Sequence, residues 1–231
     1  MLQNTIKMRF FFSSLGLLIV FLANAQDVTK LKIIPKFKTD KLVLHKTYCI
    51  GKDSLTITNL KFYITDLQYF KNDSLVGSSS KKAYLIDAFE TISQEIIESK
   101  LFDFNKIKFK LGIDSLTNVA GVLDGNLDPI HGMYWTWQSG YINFKLEGIA
   151  DNCPARNHKF YWHIGGYLEP FYAMREIELN CNARNSAEIF IQIDQLFTLI
   201  DVSKIYQVMS PSEKSVQIAN QFPEIFKMTQ E

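Results

Sequence analysis

Apolar and β-branched side chains alternate with polar ones along most of the chain. This is the two-residue period of strands with one buried face. The runs are Leu31–Phe37, Leu42–Tyr48, Leu55–Ile64, Leu67–Phe70, Ala83–Ile86, Lys106–Ile113, Tyr141–Gly148, Lys159–Ile164, Arg175–Leu179 and Ala187–Ile193. Turn-rich segments such as Lys71–Lys82 separate them. Many short strands with turns between them predict an all-β domain, an antiparallel β-sandwich or barrel-like fold. The helical signal is minor: a short helix beginning at Asp194–Leu199, and a C-terminal one over Pro211–Phe226 interrupted near Pro223. No linker, charge run or repeat divides the chain after residue 25, so residues 26–231 are expected to form one domain.

The first 25 residues break this pattern. Lys7 and Arg9 precede an apolar run from Phe10 to Leu22, and the small-x-small triplet Ala23-Asn24-Ala25 follows. This is the layout of a secretory signal peptide cleaved before Gln26. The run is short for a membrane span of about 20 residues, so no span is expected once the signal is removed. The chain is therefore read as periplasmic or secreted. Its full length carries 25 Lys plus Arg against 24 Asp plus Glu, a net charge of +1. Removing Lys7 and Arg9 leaves 23 basic residues and turns the net charge to −1. A basic excess of the kind that binds nucleic acid is absent. A 47% hydrophobic chain with 18 Phe and 10 Tyr is also too apolar to be disordered.

Export permits disulfides. Cys153 and Cys181 flank the runs Lys159–Ile164 and Arg175–Leu179, so a bridge is expected there if those two strands pair. Cys49 is then the odd one, read as a buried free thiol. None of the three has the CxxC spacing of a zinc or redox motif.

The segment Leu111–Gly148 is unlike a generic strand or loop. It holds two of the three tryptophans, as Trp135-x-Trp137, together with His131, Met133 and several acids. Trp135 and Trp137 share a face if the backbone there is extended. Asp124-x-Asn126-x-Asp128 has the opening spacing of a calcium loop, yet Pro129 stands where an EF-hand needs Gly and Trp135 where it needs Glu. A calcium role outside the EF-hand pattern stays open beside the simpler reading as turns, and Asp114 is expected to cap local backbone amides. There is no G-x-S-x-G, HExxH, Walker A or GxGxxG motif, and the role is expected to be binding rather than turnover.

Three motifs in this order carry a resemblance: Gly112-x-Asp114-Ser115-Leu116-x-Asn118, then LDPxxGMxWxWxSGYxxxKLEG over Leu127–Gly148, then His163-Ile164-Gly165-Gly166. With the upstream strand Leu60–Asp66, they resemble the MbnP family over roughly residues 30–228. The resemblance implies an exported, β-rich, copper-binding protein of the kind associated with methanobactin operons. Copper is then held through His and a Trp oxidised to kynurenine by a di-haem partner resembling MauG and the cytochrome c peroxidases. Carried over by position, Trp135 and Trp137 match the family's WxW, and His163 matches the His of its HIGG motif. His45, His131 and Met133 are the further candidates for a second ligand, since imidazole and thioether sulfur suit a borderline or soft metal. Met133 has packing as its other reading. Two rival functions remain: an interaction module without metal, and a carbohydrate-binding sandwich with exposed aromatic platforms.

Overall fold

The structure is a computed structural model that describes residues 28–136, 140–181 and 186–228. The expected signal peptide lies outside the described residues. Two curled sheets pack face to face as a sandwich that tends to a half-barrel, with short helices toward the C-terminus.

The large sheet is organised on one 19-residue strand, Asp53–Lys71, which fuses the two runs Leu55–Ile64 and Leu67–Phe70. A register shift after Thr65, with Asp66 at φ 48°, lets one strand carry both runs by bending instead of ending. Along one edge its first half pairs antiparallel with Gly140–Ala150 and its second with Lys106–Leu111, while Ala83–Asp87 pairs Lys61–Thr65 on the other edge. Strand Lys159–Gly165 lies outside Gly140–Ala150, and Arg175–Asn180 outside Lys106–Leu111. The small sheet pairs Lys30–Phe37 with Ser186–Gln192 in parallel, and in the large sheet Tyr161–Trp162 runs parallel to Gln207–Val208; the other pairings among the described residues are antiparallel. The alternation along these strands turns Leu31, Ile33, Phe62, Phe144, Phe160, Trp162, Ile189 and Ile191 into one shared core.

Three expectations need correction. The run Leu42–Tyr48 is not a continuous strand: Asp40–Lys41 and Thr47–Ile50 are separated by a turn in which His45 adopts φ 63° and Tyr48 accepts a hydrogen bond from the Val43 amide at 2.7 Å. Cys49 is exposed, because Tyr48 takes the inward position on that strand. The bridge between Cys153 and Cys181 is not formed. Its premise fails, since the strands beside them do not pair with each other: Lys159–Gly165 pairs Gly140–Ala150, and Arg175–Asn180 pairs Lys106–Leu111. Both residues are buried in the core, where the Cys153 thiol donates to the Lys159 carbonyl at 3.3 Å.

The helical reading is close. Ile193–Leu199 is a helix, and the C-terminal segment divides into Glu213–Ala219, capped by Ser212, and Phe222–Ile225. Pro223 sits in the first turn of the second helix, where its missing amide costs nothing. Among the described residues no helix is long and apolar enough to cross a membrane.

Candidate metal centre

The register of three adjacent strands builds the site. Lys61, Lys145 and His163 stand side by side, and Asn59, Glu147 and Tyr161 form the next row. The residues between them, Leu60, Leu146 and Trp162, point the other way into the core. A polar patch is thus carried on the back of a fully packed sheet, on rigid backbone.

At its centre His163 Nε2 lies 2.6 Å from Glu147 Oε1. Asn59 donates to Glu147 Oε2 at 3.2 Å, and Lys145 Nζ lies 3.7 Å from Oε1. These partners, His163 first and then Lys145, hold the Glu147 carboxyl down at about 2 against the opposing effect of burial. An ionised carboxylate only accepts, so His163 Nε2 carries the proton and donates it. In a neutral ring, that leaves the Nδ1 lone pair as the ligating position. A carboxylate that fixes tautomer and ring orientation is the usual second partner of a metal-binding histidine. His163 is only 7% exposed.

Folding depresses the Glu147 pKa from 4.5, so its ionisation stabilises the native state above that pH, and the contribution disappears as pH falls toward 2. After allowance for solvent screening, it amounts to on the order of 1–3 kcal/mol. Urea unfolding of wild type and Glu147→Gln between about pH 5 and pH 2 tests this: wild type is expected to lose more stability over that window.

The loop that follows Ile113 folds over the same face of the sheet. Gly112, at φ 119°, makes room for the Asn143 side chain, whose Oδ1 accepts from the Ile113 amide at 3.0 Å; a Cβ there would meet Asn143 at 2.5 Å. Asp114 caps the helix Ser115–Val119 through the Thr117 amide, as expected. Two tyrosines on the sheet tie the loop down, Tyr63 donating to Asn126 O at 3.0 Å and Tyr141 to Leu127 O at 3.1 Å. Burial pushes both phenols above their ordinary range. Lys145 Nζ also donates to Gly132 O at 3.1 Å, joining the polar patch to the segment before Met133.

This draws Trp135 to the site. Its short strand pairs Gly140–Tyr141, and its ring lies on Gly165, where a Cβ would come within 2.7 Å of the indole. Gly165 is two residues beyond His163, about 6.6 Å along the strand and on the same face. The glycine of the HIGG motif is thus the clearance on which the indole rests, on the strand face that carries His163. Trp135 also lines a cleft of about 280 Å³ with Tyr167, Leu168, Phe171 and Pro211.

The other candidates fare differently. Trp137 lies outside the described residues. Met133 is fully buried among Tyr63, Leu127, Trp135 and Tyr141, which is packing. His131 is half-buried and its Nε2 is 3.0 Å from Gly125 O. His45 is exposed on the far side of the long strand, three strand spacings from Lys159–Gly165, roughly 14 Å; it is not brought to His163. Within the calcium-like segment, Asp128 accepts from the Ile130 amide and makes a turn, while Asn126 donates to Ala83 O and ties the loop to strand Ala83–Asp87. Among the described residues no group of three or more His, Cys, Asp and Glu could hold a metal. His163 and Glu147 are a pair, and one imidazole suits copper while leaving further donors to be supplied by other chemistry. Trp135 and Trp162 are both buried, so neither is an exposed stacking platform. Sequence reasoning missed Glu147, Lys145 and Asn59. The Lys-x-Glu spacing on one strand was visible, but only the register sets it against the histidine.

The family model described as MbnP matches residues 26–212. Among solved structures, MbnP from Methylosinus trichosporium is similar in fold, with a TM-score of 0.54 and 10% sequence identity. That likeness covers 80% of this chain and 82% of the other. Comparison with curated protein sequences returns no match.

Proposed function

Because the chain belongs to the MbnP family, we propose that it is an exported protein that binds copper at His163 beside Trp135, in copper binding or transport and not in turnover. The observation that carries this reading is the buried His163, its ring held by Glu147 at 2.6 Å, on the same strand face as the glycine under the Trp135 ring. Nδ1 of His163 supplies the imidazole ligand, and Glu147 sets its tautomer. The family match begins at residue 26, the first residue after the expected cleavage site, which supports export.

An indole N–H is only a donor and does not ligate a metal in the ordinary way. Conversion of Trp135 or Trp137 to kynurenine overcomes this. Two equivalents of peroxide, acting through a di-haem enzyme of the MauG and cytochrome c peroxidase type, would cleave the indole C2–C3 bond by placing one oxygen atom on each carbon, the other two peroxide oxygens leaving as water, to give N-formylkynurenine. Hydrolysis then releases C2 as formate. The product carries an aromatic amine and a ketone, both of which offer lone pairs. Trp135 lines an open cleft, so a partner's oxidising equivalents have a surface through which to reach it.

Protein purified from its native host, with metal analysis and mass spectrometry of the peptide containing Trp135 and Trp137, tests the proposal. Copper bound in stoichiometric amount with a kynurenine mass shift at one tryptophan is the expected result. Background copper and two unmodified tryptophans would overturn it.

A further inference from the structure

A second cleft, of about 820 Å³, lies where strand Ala83–Asp87 of the large sheet approaches strand Glu95–Ile97 of the small one. It falls in the size range of small-molecule sites. Glu98 lines it and is 6% exposed, more than nine-tenths buried. Its Oε1 accepts from the Tyr69 hydroxyl at 3.2 Å and from the Tyr84 hydroxyl at 3.1 Å. Since the single Tyr84 proton points to Glu98, the Ser79 hydroxyl donates to Tyr84 at 2.6 Å, and Ser79 in turn accepts from the Lys81 amide at 3.1 Å. The chain of donors runs one way and ends on one carboxylate oxygen. The other oxygen, Oε2, makes no hydrogen bond among the described residues, and no cation pairs with the group. A largely buried carboxylate that lines a cleft with one oxygen left without a protein donor favours a ligand that brings both a donor and a positive charge.

The rest of the lining says what. The charged side chains are Glu90, Glu95 and Glu98 against Lys81 alone. Beside them stand apolar groups that the fold leaves in water, Ile92 at 91% and Ile97 at 56% exposed. We propose that this cleft binds a small organic cation, a primary ammonium on an apolar stem, with the ammonium on Glu98 Oε2 and the stem along Ile92 and Ile97. An ammonium has three donors and no acceptor, so it complements an oxygen that only accepts. The site stands apart from the copper reading and does not depend on it.

The test is calorimetric titration with phenethylamine and hexylamine against the neutral phenethyl alcohol, with a chelator present so that metal plays no part. Both amines are expected to bind saturably, and the alcohol at least about tenfold more weakly. Glu98→Gln keeps an acceptor for both tyrosines and is expected to lose the preference for amine over alcohol. Ile97→Ser, on an exposed position where folding is not at stake, is expected to weaken hexylamine by several fold. Equal binding of amine and alcohol, no saturable amine binding, or an unchanged preference in folded Glu98→Gln would overturn the proposal.

Discussion

Replacing His163 by alanine is expected to lower copper affinity by more than about a hundredfold, because removing even an outer-sphere partner costs about 10–100-fold. The same substitution at His45 leaves affinity unchanged, since His45 lies across the sheet on an exposed turn. Glu147→Gln falls between them, about 10–100-fold, because the ring keeps its place but loses the carboxylate that sets its tautomer. Loss of the fold does not explain such a pattern. In His163→Ala the Glu147 carboxylate still has Lys145 and Asn59 as partners, so no buried charge is stranded. Competition titration against a chelator of known affinity, with circular dichroism as the control, measures all three variants.

The largest stability effect is expected one residue earlier. Trp162→Ala should destabilise the protein by about 3–5 kcal/mol, lowering Tm by roughly 10 °C in a domain of this size. Trp162 is fully buried, stacks on Phe197 at 5.0 Å between ring centroids, and donates its indole N–H to Ile205 O at 2.7 Å. Alanine leaves a cavity and an unpaired carbonyl together. Its side chain points to the opposite face from His163, so copper stoichiometry per folded molecule should not change. Thermal unfolding by calorimetry, and copper counted on the folded fraction, check both halves.

Adjacent residues thus have opposite duties, and the sequence displays one of them better than the other. The alternation in Lys159–Ile164 announces a strand with Phe160, Trp162 and Ile164 on one side, and the structure agrees. Local period is a property of neighbouring residues, so it survives reading one residue at a time. Leu42–Tyr48 misled because Tyr48 uses its hydroxyl to close a turn, a contact that spacing does not reveal. The Cys153–Cys181 bridge failed for a longer-range reason. Their strands are near in sequence but take different partners, Gly140–Ala150 for Lys159–Gly165 and Lys106–Leu111 for Arg175–Asn180.

The site was legible to the same depth. His163 and Trp135 were visible through their motifs, and the structure adds the reason they belong together: Gly165 leaves its face bare for the indole. Glu147 was not visible as a partner, because its relation to His163 is set by strand register between residues sixteen apart in the chain. The Glu98 cleft was invisible altogether. It joins Tyr69, Tyr84 and Glu98 from three separate segments, and no spacing rule connects them.

X-ray absorption spectroscopy of the copper-loaded protein tests ligation by His163, because it detects imidazole whatever the oxidation state of the metal. Imidazole scattering is expected in wild type and in His45→Ala, and its loss in His163→Ala. Imidazole scattering that persists in His163→Ala, or is missing from copper-loaded wild type, would contradict that ligation.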